Sequence, residues 1–217
     1  YYLDTFGFGT RTGINCPGEA PGVLLPLNRW TNIDAVAISF GQGMSVTALQ
    51  LVTAISAIAN GGKLMKPMLV KRILSNSGEV IQENEPCVVR QAISAKTAIL
   101  VKEMMARVVQ EDGTGTKAAL PGYRVCGKTS TAQKADKETK GYSHSKFTAA
   151  FAGFAPFDNP ALAILVVVDE PKENHYGGIV AAPAFKDILA RSFNYLNIAP
   201  DTDMVAGLPR KLTDVSD

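Results

Sequence analysis

The sequence predicts a mixed α/β (α+β) fold, an antiparallel sheet packed between helices, and three stretches carry that prediction. Val46, Leu49, Leu51, Val52, Ile55, Ile58 and Ala59 recur at helical spacing and end at Asn60-Gly61-Gly62, which supplies a left-handed stop. Leu162 to Asp169 is a continuous branched apolar run, which suits a central strand buried on both faces. The strand before it, Phe147 to Ala155, is joined to it only by Pro156-Phe157-Asp158-Asn159-Pro160. That linker is too short for a parallel crossover, so the two strands must pair antiparallel.

The first 43 residues are rich in Gly, Pro and Asn and read as loop and irregular structure. After the buried helix, Met68 to Leu74 and Glu79 to Gln82 flank Ser75-Asn76-Ser77-Gly78, the turn chemistry of a small surface hairpin. Ser94 can cap a second helix running to about Gln110, with Ile99, Met104, Met105, Val108 and Val109 as its buried stripe and Gly113 beyond its end. Thr129 to Gln133 reads as the first of the three strands. Lys134 to Lys146 is highly charged and lacks an apolar stripe, so it reads as a hairpin loop. Pro183 to Leu196 places Phe185, Ile188, Leu189, Phe193 and Leu196 on one face of a closing helix that should lie across the sheet. From Pro200 the periodicity fades, which leaves one domain, 1–198, and a surface tail, 199–217.

With 217 residues, 46% hydrophobic and 19% charged, the chain can bury a real core. A net charge of +2 with dispersed basic residues argues against nucleic acid or an anionic membrane as partner. No apolar run approaches the roughly 20 residues that cross a bilayer. Tyr1-Tyr2-Leu3-Asp4 reads like the middle of an element, so a piece of a longer protein is expected. Cys16, Cys87 and Cys126 are widely spaced and only two histidines accompany them, so buried free thiols are expected, with no metal and no cofactor.

Chemistry concentrates at Gly127-Lys128-Thr129-Ser130-Thr131-Ala132-Gln133-Lys134. Strand alternation puts the Thr129 and Thr131 hydroxyls on one face, where both can donate to a carboxylate. Lys128 adds a fixed positive charge that attracts the same anion. On an edge strand, the free backbone groups could also take up a peptide by strand addition. Ser130 falls on the opposite face and is expected to press on packing behind the strand.

The ordered blocks SFGQGMSVTALQLVTAISAIANGG, GTGTKAA, GKTSTAQK, FTAAFAGFAP, LAILVVVDEP and HYGGIVAAPAFKDIL resemble the transpeptidase domain of class B penicillin-binding proteins, the division and elongation transpeptidases above all. The resemblance runs from about Phe6 to Leu196. It implies the penicillin-binding transpeptidase/serine β-lactamase-like fold, of which this chain is the C-terminal portion. It also implies acyl transfer from D-Ala-D-Ala stem peptides in peptidoglycan cross-linking, with β-lactam antibiotics as trapping mimics and other cell-wall synthesis or division proteins as partners. Lys128 then looks like the electrostatic and proton-shuttling lysine, Thr129, Ser130 and Thr131 like the substrate-binding strand, and the Thr131 N–H like one of two oxyanion donors. Gly177 and Gly178 look like a mobile turn bordering the groove. The family's Ser-x-x-Lys and Ser-x-Asn motifs, and two further strands, would precede Tyr1. The parent would work on the outer face of the cytoplasmic membrane, held by an anchor.

Decoys and rivals accompany this reading. Ser143-His144-Ser145-Lys146 fits Ser-x-x-Lys, and Ser192-Phe193-Asn194 fits Ser-x-Asn. With 11 Ser and 14 Lys in 217 residues, on the order of one Ser-x-x-Lys arises by chance. His144 and His175 lack a serine-elbow context, Asp169-Glu170 reads as a strand terminus, and Met104-Met105 reads as core. The rival functions are a carboxypeptidase or β-lactamase of the same superfold, and a non-catalytic scaffold domain of the cell-wall machinery.

Overall fold

The structure is a computed structural model that describes residues 1–136 and 141–201. It divides into two compact units, Tyr1–Lys102 with Ala132–Phe147, and Glu103–Thr131 with the described residues from Thr148 onward.

The first unit begins with helix α1 (Tyr2–Thr5), then α2 (Asn32–Ser39) and α3 (Ala48–Ala59). The expectation of irregular structure through residue 43 therefore needs correcting. α2 opens with a capping box, in which Thr31 Oγ1 accepts from the Asp34 N–H and the Asp34 carboxylate accepts from the Thr31 N–H. α3 has the same device at Thr47 and Gln50. Gln50 does more, because its Nε2 donates to the carbonyls of Thr10 and Pro21 at 2.7 and 2.9 Å while only 1% of it is exposed. A glutamine buried and satisfied in this way fastens the glycine-rich entry segment to the helix. Strands β1 (Lys63–Met65) and β4 (Val88–Gln91) pair antiparallel, as do β2 (Arg72–Leu74) and β3 (Val80–Glu83), the expected hairpin. Ala57, Leu64 and Ala92 form a small core with Phe6 packed on it. Cys16 and Cys87 are exposed and only Cys126 is buried, against the expectation of buried thiols.

Ser94 caps helix α4 (Ala95–Arg107), accepting from the Thr97 N–H. Its buried residues are Ala98, Lys102, Met105 and Ala106, continued by Val109, whereas Ile99 and Met104 are exposed. The helix thus buries a narrower apolar stripe than its composition suggests, with Ala98 and Ala106 among the residues it buries.

In the three-stranded sheet, β5 (Cys126–Asp136), β6 (Gly141–Ala155) and β7 (Leu162–Asp169) lie in that order, and β6 and β7 run antiparallel from Thr148↔Asp169 to Ala155↔Leu162. Among the strands of this chain, β6 is therefore the middle one, with β5 and β7 on either side of it. Most residues of β7, on both of its faces, are partly covered, in keeping with its apolar run. The expected loop from Lys134 to Lys146 is also mostly strand, with 137–140 outside the described residues.

Below the sheet, α6 (Ala182–Leu196) buries Phe185, Leu189 and Phe193 to 1% exposure or less, one residue per turn. These join Val109, Ala118, Val125, Phe151 and Ala155 in the main core, and each large side chain contributes about 1.5–3 kcal/mol by leaving water. Ile188 and Leu196 flank that stripe and remain exposed. The tail begins anchored: the Asp201 carboxylate accepts from the backbone N–H groups of Arg124 and Phe157, while 202–217 lie outside the described residues.

Candidate functional site

Lys128, Thr129, Ser130 and Thr131 lie in the half of β5 that belongs to the second unit, and β5 is an outer strand of its sheet. The strand enters at buried Cys126 and Gly127, where a methyl group on Gly127 would run into the Phe151 ring. Glycine there lets β5 sit directly on the core and fixes the height of the residues that follow.

Two backbone segments close on the Thr129 and Thr131 face. The first is the turn Gly113-Thr114-Gly115, held by the Gly115 N–H donating to the Val108 carbonyl at 2.8 Å. It brings Thr114 Oγ1 to 2.9 Å from Thr129 Oγ1. The second is Gly177-Gly178, which opens the short helix α5 (Gly177–Val180). The Gly177 N–H donates to Thr131 Oγ1 at 3.3 Å. Both glycines are buried. A methyl on Gly177 would collide with the Ala150 carbonyl oxygen and lie 2.5 Å from that of Ser130, and one on Gly178 would collide with the Thr114 carbonyl oxygen. The expected mobile turn is instead a tightly seated one, where glycine serves close backbone approach.

Lys128 is exposed, and its Nζ donates to the Thr129 carbonyl at 2.8 Å. Ser130 is exposed too, so it does not press on packing as the alternation argument expected. Thr129 is half-buried and Thr131 exposed, which leaves both hydroxyls near solvent.

The decoys separate from this cluster. Ser143 lies on β6, where its Oγ accepts from the Ser145 and Lys146 N–H groups at 3.3 and 3.0 Å. Residues three apart on a strand point to opposite faces, so Lys146 cannot activate Ser143 as a one-turn helical neighbour would. Ser192 lies within α6. The His175 ring packs on Tyr176, and Asp169 accepts from the Thr148 hydroxyl at 3.2 Å across the β6–β7 ladder. Among the described residues no cluster of three or more His, Cys, Asp or Glu side chains could hold a metal ion. Thr114 is the site residue that sequence reasoning missed. Its sequence signals are the glycines on either side and its place in the GTGTKAA block, neither of which points to Thr129, because that contact is made by a turn that returns to the strand.

The family profile described as the penicillin-binding protein transpeptidase domain matches residues 1–190. The chain belongs to that family. The chain is 40% identical over 206 residues to stage V sporulation protein D of Bacillus subtilis, covering 94% of the chain and 31% of that protein. It is 36% identical over 200 residues to the probable peptidoglycan D,D-transpeptidase PbpC of Pseudomonas aeruginosa, covering 92% of the chain and 33% of the relative. The crystal structure of penicillin-binding protein 3 of Mycobacterium tuberculosis complexed with ampicillin superposes with a TM-score of 0.87 at 34% identity, over 98% of the chain and 48% of that structure. The transpeptidase-domain fold and the family reading of the sequence both hold. The chain spans about a third of the length of these curated relatives (31% and 33%).

Proposed function

We propose that this chain is the substrate-carboxylate half of a serine-type D,D-transpeptidase that cross-links peptidoglycan and is trapped by β-lactams. The observation that carries the reading is the outer strand β5, with the Thr129 and Thr131 hydroxyls on one face and the Lys128 ammonium beside them. Two hydroxyl donors and a cation on a strand edge are what a peptide carboxylate needs. The names of the relatives, a D,D-transpeptidase among them, and the ampicillin complex of a similar structure support the same chemistry.

In this reading a serine in a Ser-x-x-Lys segment of the longer protein attacks the D-Ala-D-Ala carbonyl. The serine oxygen–carbon bond forms, the peptide C–N bond breaks, and D-Ala leaves with the proton the serine gave up. An amine from a second stem peptide then attacks the ester, forms the cross-link and returns the proton to the serine. A β-lactam stops the cycle at the ester, because its leaving amine stays tethered. Thr129 and Thr131 hold the carboxylate of the terminal D-Ala, or of the β-lactam, and Lys128 supplies positive potential for it. Backbone groups two residues apart point the same way along a strand edge. The Thr129 carbonyl already faces the Lys128 side chain, which supports the Thr131 N–H as an oxyanion donor on that side. The work is done outside the cytoplasm, where peptidoglycan is assembled.

Intact-mass spectrometry after incubation with benzylpenicillin tests the division of labour. The longer protein that includes the Ser-x-x-Lys segment should gain one penicilloyl group, and the 217-residue chain alone should gain none. An acylated 217-residue chain would show that the nucleophile had been misplaced.

A further inference from the structure

Binding an anion with two threonine hydroxyls raises a question of proton direction. Each hydroxyl has one proton, and it binds a carboxylate only if that proton points outward. A hydroxyl that already accepts a bond from the protein has a lone pair occupied and its proton free to point elsewhere. Thr131 has such a partner, since its Oγ1 accepts from the Gly177 N–H at 3.3 Å, and an N–H can only donate. For Thr129 the partner is Thr114 Oγ1 at 2.9 Å, a contact in which either hydroxyl can donate.

We propose that Thr114 is a positioning residue for substrate binding. It donates to Thr129 Oγ1 and so keeps the Thr129 proton free for the substrate carboxylate. This rests on the carboxylate reading of Thr129 given above. Charge sets the direction. If Thr129 donated to Thr114, it would present lone pairs to the anion, and the contact would be repulsive. In the reverse order the chain Thr114 to Thr129 to carboxylate aligns every O–H dipole with the negative charge, and each bond strengthens the next. Thr114 is built into place for this. Its turn is tied by the Gly115 N–H to Val108, its carbonyl packs against Gly178 so closely that no side chain fits between them, and its own side chain stays exposed beside the strand. The face therefore carries three hydroxyls, two that touch the ligand and one that orders them.

The test uses the longer protein that carries the nucleophile and measures second-order acylation by benzylpenicillin and by its methyl ester, which has no carboxylate. Thr114→Val should slow acylation by the acid about tenfold and by the ester less than about twofold, the size of a lost bond in a chain ending on a charge. Thr114→Ser keeps the hydroxyl and should restore most of the rate. Thr129→Val should separate acid from ester in the same way, and the double variant should be little slower than Thr129→Val alone, because one bond has been removed twice. Thr114→Ala repeats the measurement without a branched side chain in the turn. Equal slowing of acid and ester by Thr114→Val and Thr114→Ala, or no slowing of the acid, overturns the proposal. If Thr129→Val separates acid from ester while neither Thr114 variant does, only the role of Thr114 falls. Should Thr129→Val fail to separate them, the carboxylate reading falls and takes this proposal with it.

Discussion

Ser130 and Gly177 meet on opposite terms although their backbones touch. The Ser130 side chain is exposed, whereas Gly177 is packed against the carbonyls of Ala150 and Ser130 with no room for a methyl group. Ser130→Gly in the longer protein should therefore change acylation by benzylpenicillin by no more than about threefold, as surface substitutions do. Gly177→Ala must push two backbone segments apart, so it should cost about 1–3 kcal/mol in denaturant unfolding and slow acylation as well. A stable and fully reactive Gly177→Ala protein would show that the seat is looser than described. Residue type and alternation made Lys128, Thr129 and Thr131 candidates for anion binding, and the resemblance of the surrounding blocks to the family gave them their expected roles. Thr114 was not legible that way, because its hydroxyl meets Thr129 through a turn whose path is set by Gly115, Val108 and Phe151. Nor was the buried state of Gly177 and Gly178, since a Gly-Gly pair reads the same in a mobile turn and in a close backbone contact.

At the scale of elements, the loop before α2 shows how a segment without periodicity is held. The Glu19 carboxylate accepts from the Thr12 N–H and hydroxyl, both at 2.6 Å, and from the Gly13 N–H at 3.0 Å. Burial works to raise its pKa, but the bonds from Thr12 and Gly13, with the nearby Arg11 charge, together hold it below the ordinary value of 4.5. A carboxyl with a lowered folded pKa binds fewer protons than in the unfolded chain. Its contribution is whole above pH 4.5 and drains away as the pH falls through the lowered folded value. Wild type should therefore unfold at a higher temperature than Glu19→Gln near neutrality, and the gap should narrow steadily from about pH 4.5 downward. A gap that stays constant across that range would assign the loop's order to other contacts. Helix α2 was missed for a related reason: eight residues after a Gly- and Pro-rich stretch give too little period to read, although Thr31 and Asp34 spell its capping box. α3 and α6 were legible because each repeats its apolar stripe over three turns or more. The ends of β5 and β6 were not, because charged residues carry no signal of strand pairing.

For the whole molecule, the antiparallel order of β6 and β7 followed from a five-residue linker, and the closing helix from Phe185, Leu189 and Phe193. The order of β5, β6 and β7 within the chain did not follow, because apolar content does not say which strand pairs with which. Apolar content reports what covers a strand's faces, whereas sheet position depends on which edge another strand takes. The division into two compact units was equally silent in the sequence, since α4, β5 and β6 each pass from one unit to the other without a break in pattern. What joins these scales is the claim that the outer strand β5 binds the carboxylate of an acyl donor. A crystal structure of the longer protein acylated by benzylpenicillin tests it most directly. The β-lactam carboxylate should lie about 2.5–3.0 Å from both Thr129 Oγ1 and Thr131 Oγ1. A well-ordered penicilloyl group whose carboxylate points away from both threonines would contradict it.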